Sequence, residues 1–152
     1  MTQERRFRAA KPGDAAFILD LERTGMEAYA VALWGQWRPS ATLETLSLAG
    51  HRILQAGARD VGCLALWEDP SCLFVKKLYI APEARGRGHG AWALTQLTAE
   101  AQARGLPIRL NVLVTNPALR FYRREGFRVC ARSPERITCD WQPGAGEAIR
   151  RV

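Results

Sequence analysis

Two short stretches of this 152-residue chain carry residue types and spacings suited to chemistry. The first is LFVKKLYIAPEARGRGHG, residues 73–90, in which an apolar run leads through a proline into Arg85, Gly86, Arg87, Gly88, His89 and Gly90. A helix-like segment, AWALTQLTAEAQAR, follows at once. Strand, glycine-rich turn and helix N-terminus, in that order, make a cradle for phosphate. Glycine lets backbone N–H groups approach an anion, and the first helical turn presents unpaired donors and the positive end of its dipole. The second stretch is TNPALRFYRREGF, residues 115–127. Asn116 suits an N-cap, Pro117 the first helical position and Gly126 the C′ stop. Ala118, Phe121 and Tyr122 share one helical face.

Three ligand classes compete for such a loop. A P-loop needs GxxxxGK[ST], which this chain lacks. The dinucleotide pattern GxGxxG/A is nominally met by Gly86, Gly88 and Ala91. It also wants an acidic residue about 20 positions on, where this chain reads GLPIRLNVLV. The mid-chain loop leaves room for one further βα unit, not two mononucleotide halves. The third class is coenzyme A, with its pyrophosphate on the loop and its thiol arm along a strand.

The second stretch favours the third class. Residues 78–90, LYIAPEARGRGHG, followed by residues 116–127, NPALRFYRREGF, resemble the GCN5-related N-acetyltransferases (GNAT). Arg85, Gly88 and Gly90 match that family's [QR]xxGxG/A signature. Asn116, Ala118, Tyr122, Gly126 and Phe127 match its Asn…Ala…Tyr…Gly-Phe signature. The two stand in the family's order, separated by a helix and a strand.

The resemblance implies an acetyl-coenzyme A-dependent acetyltransferase acting on an amine by direct transfer in a ternary complex. It implies that Arg85 to Gly90 wrap the pyrophosphate, mostly through backbone donors. It implies that the strands bearing Leu78, Tyr79 and Ile80 on one side and residues 110–113 on the other splay apart. Pantetheine amides would then complete the broken ladder, and a backbone N–H near Leu78–Ile80 would polarise the thioester carbonyl. Asn116 would cap its helix and also touch the cofactor. Tyr122 would be the general acid for the leaving thiolate, a transfer uphill by roughly 2 kcal/mol for an ordinary phenol and smaller if the site lowers its pKa. Side-chain identity at Arg87 and His89 should matter little, and His89 reads as a partly exposed loop residue. A homodimer is the family expectation. Two other classes stay open: a non-catalytic acyl-CoA sensor and a nucleotide-dependent oxidoreductase.

The general base and the acceptor are less legible. The strand before the loop offers Lys76 and Lys77 but no glutamate. Glu22, Glu27, His51, Glu68 and Asp69 are the candidates, each with a surface-charge alternative. Attack requires a neutral amine. At pH 7 that costs about 1.4 kcal/mol for an α-amino group but about 4.6 kcal/mol for a lysine, so a weakly basic acceptor, a small molecule or a peptide N-terminus, is easier. Tyr29, Trp34 and Trp37 read equally as an acceptor wall or as core aromatics. Beside basic residues, such a wall favours an acidic or aromatic acceptor over a polycation.

These residues need a scaffold, and the pattern supplies one. RRFRAA, HRILQA, DVGCLALWED, CLFVKKLYIA, IRLNVLV, FRVCAR and ERITCDW read as strands, with turn signals at 57–60 and 69–71. Helices are expected from Pro12 to Gly25, over MEAYAVALW, over TLETLSLAG, after the glycine loop, and over PALRFYRRE. The fold class is therefore α+β: a mixed, mostly antiparallel sheet with helices on both faces, one domain over 1–143 and a tail over 144–152. The length and the 47% hydrophobic and 24% charged composition fit one soluble globular domain. No membrane-span run or signal peptide is evident, so a cytoplasmic location is expected. Four cysteines without a CxxC, and two distant histidines, argue for structural thiols and against zinc. The net charge of +7 comes from 19 arginines and three lysines against 15 acids. The arginines are scattered, with no nucleic-acid motif, so the surplus is read as solvated surface with some of it serving an anionic ligand, rather than as a nucleic-acid site.

Overall fold

The computed structural model describes residues 4–144. The expected tail beyond residue 144 lies outside them. Seven strands form one sheet: β1 (Arg5–Ala9), β2 (His51–Ala56), β3 (Arg59–Asp69), β4 (Cys72–Ile80), β5 (Ile108–Leu113), β6 (Arg128–Arg132) and β7 (Arg136–Trp141). Their order is β1-β2-β3-β4-β5-β7-β6. Every pairing is antiparallel except β4 with β5, which is parallel. The crossover between those two is the helix α2 (His89–Arg104); α1 (Ala15–Trp34) links β1 to β2 and α3 (Leu119–Arg124) links β5 to β6. All seven expected strands are present.

Side chains alternate across the sheet and feed two cores. Leu64, Leu66, Leu73, Val75 and Leu110 pack with Leu94 and Leu97 of α2. Ile53, Val61 and Cys63 pack with Ile18 and Leu21 of α1. Each of these aliphatic side chains contributes roughly 1.5–3 kcal/mol by leaving water.

Two helix expectations fail, each for a local reason. Gly25 does not divide two helices, because α1 runs unbroken through it for 20 residues. Gly25 is there for contact: a Cβ at this position would lie 2.6 Å from Cδ1 of Tyr79. The helix stops instead at Gly35, whose φ of 77° places it in the left-handed region. The segment TLETLSLAG forms a turn and no helix. Its Thr42 N–H donates to Thr45 Oγ1 at 2.8 Å, and Thr45 N–H to Thr42 Oγ1 at 3.3 Å. Such hydroxyl bonds to nearby backbone compete with a helix.

β1 is tied to the start of α1 by a paired carboxylate. Both oxygens of Asp14 accept from Arg8 at 2.8 Å, and Lys11 N–H adds a third bond at 2.9 Å. The hydrogen-bonded Arg8 guanidinium holds the Asp14 carboxyl at about 2, below its ordinary value. A depressed carboxyl stabilises the fold above its unfolded pKa, and that contribution disappears as pH falls through the folded value. Stability should therefore drop by about 2 kcal/mol between pH 5 and pH 2 in excess of an Asp14→Asn control. Denaturant titrations of both proteins at the two pH values measure it. Equal losses would remove Asp14 as the cause.

Among the described residues, no helix is long and apolar enough to cross a membrane.

Candidate active site

The two central strands part halfway along their length. β4 and β5 pair only at Leu73–Ile108, Phe74–Arg109 and Val75–Leu110. β4 continues to Ile80 and β5 to Leu113 without each other. A bulge marks the same point: Ala65 of β3 faces Lys77 while Leu66 faces Val75, which leaves Lys76 as the extra residue. A bulge bends and twists its strand, and here it turns the end of β4 away from β5. The facing backbone groups beyond Val75 are left for another partner. The separation sets in just past Leu110, which the sequence reading placed inside the gap.

The gap opens into a cavity of about 1320 Å³. Of the expected cofactor residues, Leu78, Tyr79, Ile80, Arg85, Gly86, Gly88, His89, Gly90 and Asn116 line it. Tyr122 lines it as well, from the neighbouring α3. Arg87 is not among the lining residues. Its side chain is exposed and its carbonyl accepts from Arg5 Nη2 at 2.7 Å.

The loop has the geometry its glycines allow. Gly86 and Gly88 have φ of 77° and 83°, where side-chain-bearing residues are strained. Gly88 is the N-cap of α2, and no side chain caps this helix. The first-turn N–H groups are therefore open to an anion. Gly90 lies against α3, since a Cβ there would be 3.3 Å from Phe121 Cζ. Arg85 turns back to donate through Nε to the Ile80 carbonyl at 3.1 Å, closing the loop onto its strand.

His89 corrects one expectation. It is buried, not a partly exposed loop residue, and its Nδ1 accepts from Arg5 Nε at 2.9 Å. Burial, with the Arg5 and Arg87 cations, pushes the imidazole down and keeps it a neutral acceptor. Arg5 thus holds the loop at two points, Arg87 and His89. Its position in an edge strand more than 80 residues earlier gave no signal in the sequence.

Asn116 acts in a turn and not as the N-cap itself. Its Oδ1 accepts from Ala118 N–H at 2.9 Å, and α3 begins at Leu119. Tyr122 is buried, with its ring edge-on to Phe121 and Phe127 at centroid distances of 5.2 and 5.8 Å. Its hydroxyl has no hydrogen-bond partner among the described residues. Burial pushes the phenol up, opposite to the shift that would ease proton donation. Tyr122 therefore keeps its proton through neutral and mildly alkaline pH.

The five base candidates separate. Glu27 is exposed, Glu68 pairs with Arg104 at 2.9 Å, and Asp69 accepts from the Ser71 and Cys72 backbone; none lines the cavity. Glu22 and His51 do line it, and both are buried. Glu22 is fully engaged: Ser40 donates N–H and O–H to its two oxygens at 2.9 and 2.8 Å, and Lys77 Nζ stands 3.3 Å away. His51 Nδ1 lies 3.1 Å from the Ala49 carbonyl, while Nε2 is buried without a partner. Glu125, at the C-cap of α3 three residues beyond Tyr122, also lines the cavity. Its spacing of three from Tyr122, which sets both on one side of the chain turn, was the available signal.

α1 roofs the cavity and bridges the diverging halves of the sheet. Met26, Tyr29, Trp34 and Trp37 line it, so these aromatics are wall and not core. Thr115 donates to the Tyr29 carbonyl at 2.7 Å, Trp34 Nε1 donates to Glu135, and Arg136 lies 5.5 Å over the Trp34 ring. Of the four thiols, Cys63, Cys72 and Cys139 are buried and Cys130 is exposed. Burial pushes Cys63 up to about 12, which leaves it inert at neutral pH.

Residues 49–129 match the family model described as an acetyltransferase (GNAT) domain. No curated protein sequence matches the chain. Among solved structures, the fold is similar to the PaiA N-acetyltransferase of Thermoplasma acidophilum in complex with coenzyme A. That likeness has a TM-score of 0.71 at 14% identity, covering 91% of this chain and 99% of that one. An acetyltransferase from Thermus thermophilus also gives 0.71, at 24% identity over 93% and 99%. The ribosomal-protein-S18-alanine N-acetyltransferase of Escherichia coli gives 0.70, at 13% identity over 91% and 94%. At these identities the structural likeness is one of fold.

Proposed function

This chain belongs to the GNAT family of acetyl-CoA-dependent N-acetyltransferases, and from that premise we propose which of its residues hold the donor and which move the proton. The observation that carries the assignment is the coincidence of three features at one place. β4 and β5 part after Val75–Leu110, a bulge sits at Lys76, and the uncapped N-terminus of α2 with its two left-handed glycines faces the opening.

Bound acetyl-CoA supplies an activated acetyl thioester. The loop Arg85–Gly90 holds its pyrophosphate through backbone N–H groups, and Arg5 keeps that loop in shape from behind. The free edges of β4 and β5 pair with the pantetheine amides. Backbone N–H groups just past the bulge, at Leu78 to Ile80, stabilise negative charge on the carbonyl oxygen. Asn116, whose Oδ1 is occupied by its turn, offers its amide NH₂ to the cofactor. Tyr122 donates its proton to the departing sulfur. The acceptor is an amine bound under α1, transferred to directly with both substrates present.

Binding and loop geometry test this together. Coenzyme A should raise the melting temperature and NADPH should not. Gly88→Val should weaken coenzyme A binding roughly tenfold, because a side chain in that backbone conformation costs about 1–2 kcal/mol. Calorimetric titration reads the affinity. Stabilisation by NADPH alone would instead support an oxidoreductase. Tight coenzyme A binding without turnover on any amine would support a sensor.

A further inference from the structure

The donor accounts for the loop side of the cavity. Under α1 the remaining wall is aromatic and its charge is lopsided. Among the described residues lining the cavity, Arg38, Lys76, Lys77, Arg85, Arg124 and Arg136 stand against Glu22 and Glu125. Arg85 belongs to the donor loop, whereas Arg136 lies over the Trp34 ring, Arg38 follows Trp37 in the chain, and Lys77 pairs with Glu22 of α1. Lys77 is the unusual one. Its side chain is only 8% exposed and its ammonium carries three donors, yet among the described residues its one ion-pair partner is Glu22 at 3.3 Å. Charge-assisted bonds normally run about 2.7–2.9 Å. Glu22 is already held by two tighter bonds from Ser40. Beside Lys77, His51 adds no counter-charge: burial and the nearby Lys77 and Lys76 ammoniums keep it neutral, and its Nε2 lacks a partner. Among the described residues the Lys77 ammonium has one charged partner, Glu22, and donors left over for a ligand in the cavity that it lines.

We propose that the acceptor is a small amine that also carries a carboxylate, an amino-acid-like molecule whose carboxylate meets Lys77, with Arg38 and Arg136 at the rim and its hydrocarbon against Tyr29, Trp34 and Trp37. This rests on the acetyltransferase reading and adds the substrate class. The same cations serve the chemistry, because a nearby like charge favours the neutral form of an amine. The ammonium proton leaves to solvent first. The amine nitrogen then bonds to the acetyl carbon as the carbon–sulfur bond breaks, the sulfur takes the Tyr122 proton, and the second amine proton passes to solvent as the amide forms, from which the Tyr122 phenol is reprotonated. A polyamine would place several cations among three fixed ones and is rejected.

Matched acceptors decide it. Thiol release is measured with phenylalanine, phenylalaninamide, phenethylamine, methionine, methioninamide and spermidine. The amides are the stringent control, since they are less basic than the acids and would win if basicity alone governed. Each free acid should exceed its amide, phenethylamine and spermidine by about tenfold or more in kcat/KM. In Lys77→Gln the acid-to-amide ratio should collapse toward one, mainly through KM. If that variant does not fold, Arg136→Gln, an exposed rim residue, should narrow the same ratio. Equal or better turnover of an amide, phenethylamine or spermidine overturns the proposal while leaving the acetyltransferase reading intact. Acetyl-CoA binding with no turnover on any amine overturns both.

Discussion

Tyr122→Phe should lower kcat by about 10²-fold or more and leave acetyl-CoA affinity almost unchanged. The variant isolates the hydroxyl. Its ring keeps the edge contacts to Phe121 and Phe127 that anchor α3 to the core, so the fold should lose little. The hydroxyl has no hydrogen-bond partner among the described residues, so no internal bond is broken by removing it. The loss should therefore fall on the step in which charge develops on sulfur. pH dependence adds a second readout. Because burial pushes the phenol up, wild-type kcat should hold its plateau past pH 9, where an ordinary phenol begins to ionise. Single-turnover thiol release separates chemistry from binding and product release. Unchanged turnover in the variant would take Tyr122 out of the mechanism and return it to packing. An alkaline limb below pH 9 that vanishes in the variant would contradict its burial.

The sheet and the glycine loop that lines the cavity were legible because their signals are local. Strand order along the chain follows from period-two patterning and turn residues, and the glycine loop announces itself by residues only three to five positions apart. The splay was anticipated from resemblance, but its cause was not. The bulge at Lys76 is a register fact between β3 and β4, and no single strand's sequence encodes a register. Arg5 was missed for a similar reason: its two bonds to the loop span more than 80 residues. Gly25 misled because glycine inside a helical pattern reads as a breaker. Its actual partner, the Tyr79 ring, arrives from a strand more than 50 residues later. The threonines at 42 and 45 misled in the opposite sense, since a helical spacing says nothing about hydroxyls that bond the backbone first. The acceptor wall could be named but not assigned. Whether Trp34 faces core or cavity depends on how far α1 extends past the edge of β4, and that depends on Gly25 not ending it.

Removing Glu22 should be among the most destabilising single changes in the chain. Glu22 and Lys77 are both buried at 8% exposure, and Glu22 also fixes the loop after α1 through Ser40. Glu22→Ala leaves an ammonium inside the protein without its counter-charge and strands the Ser40 donors. Breaking a buried pair from one side costs about 3–5 kcal/mol. For a chain of this size that corresponds to a fall in Tm of roughly 10 °C or more. Glu22→Gln divides the two causes, because its amide oxygen can still accept from Ser40 N–H and its NH₂ can donate to Ser40 Oγ in the same shape, while the charge is removed. If Lys77 is the source of the cost, the amide variant should be nearly as unstable as the alanine. If the Ser40 anchor dominates, it should lie close to wild type. Glu22→Leu with Lys77→Met should recover most of the loss, since an apolar pair of similar volume carries no desolvation penalty. Thermal and denaturant unfolding of the four proteins gives the comparison, and a Glu22→Ala penalty below about 1 kcal/mol would show the pair to be solvated, within the range of a surface ion pair. Recovery of stability without recovery of amino-acid acetylation would then separate what the pair does for the fold from what Lys77 does in the pocket.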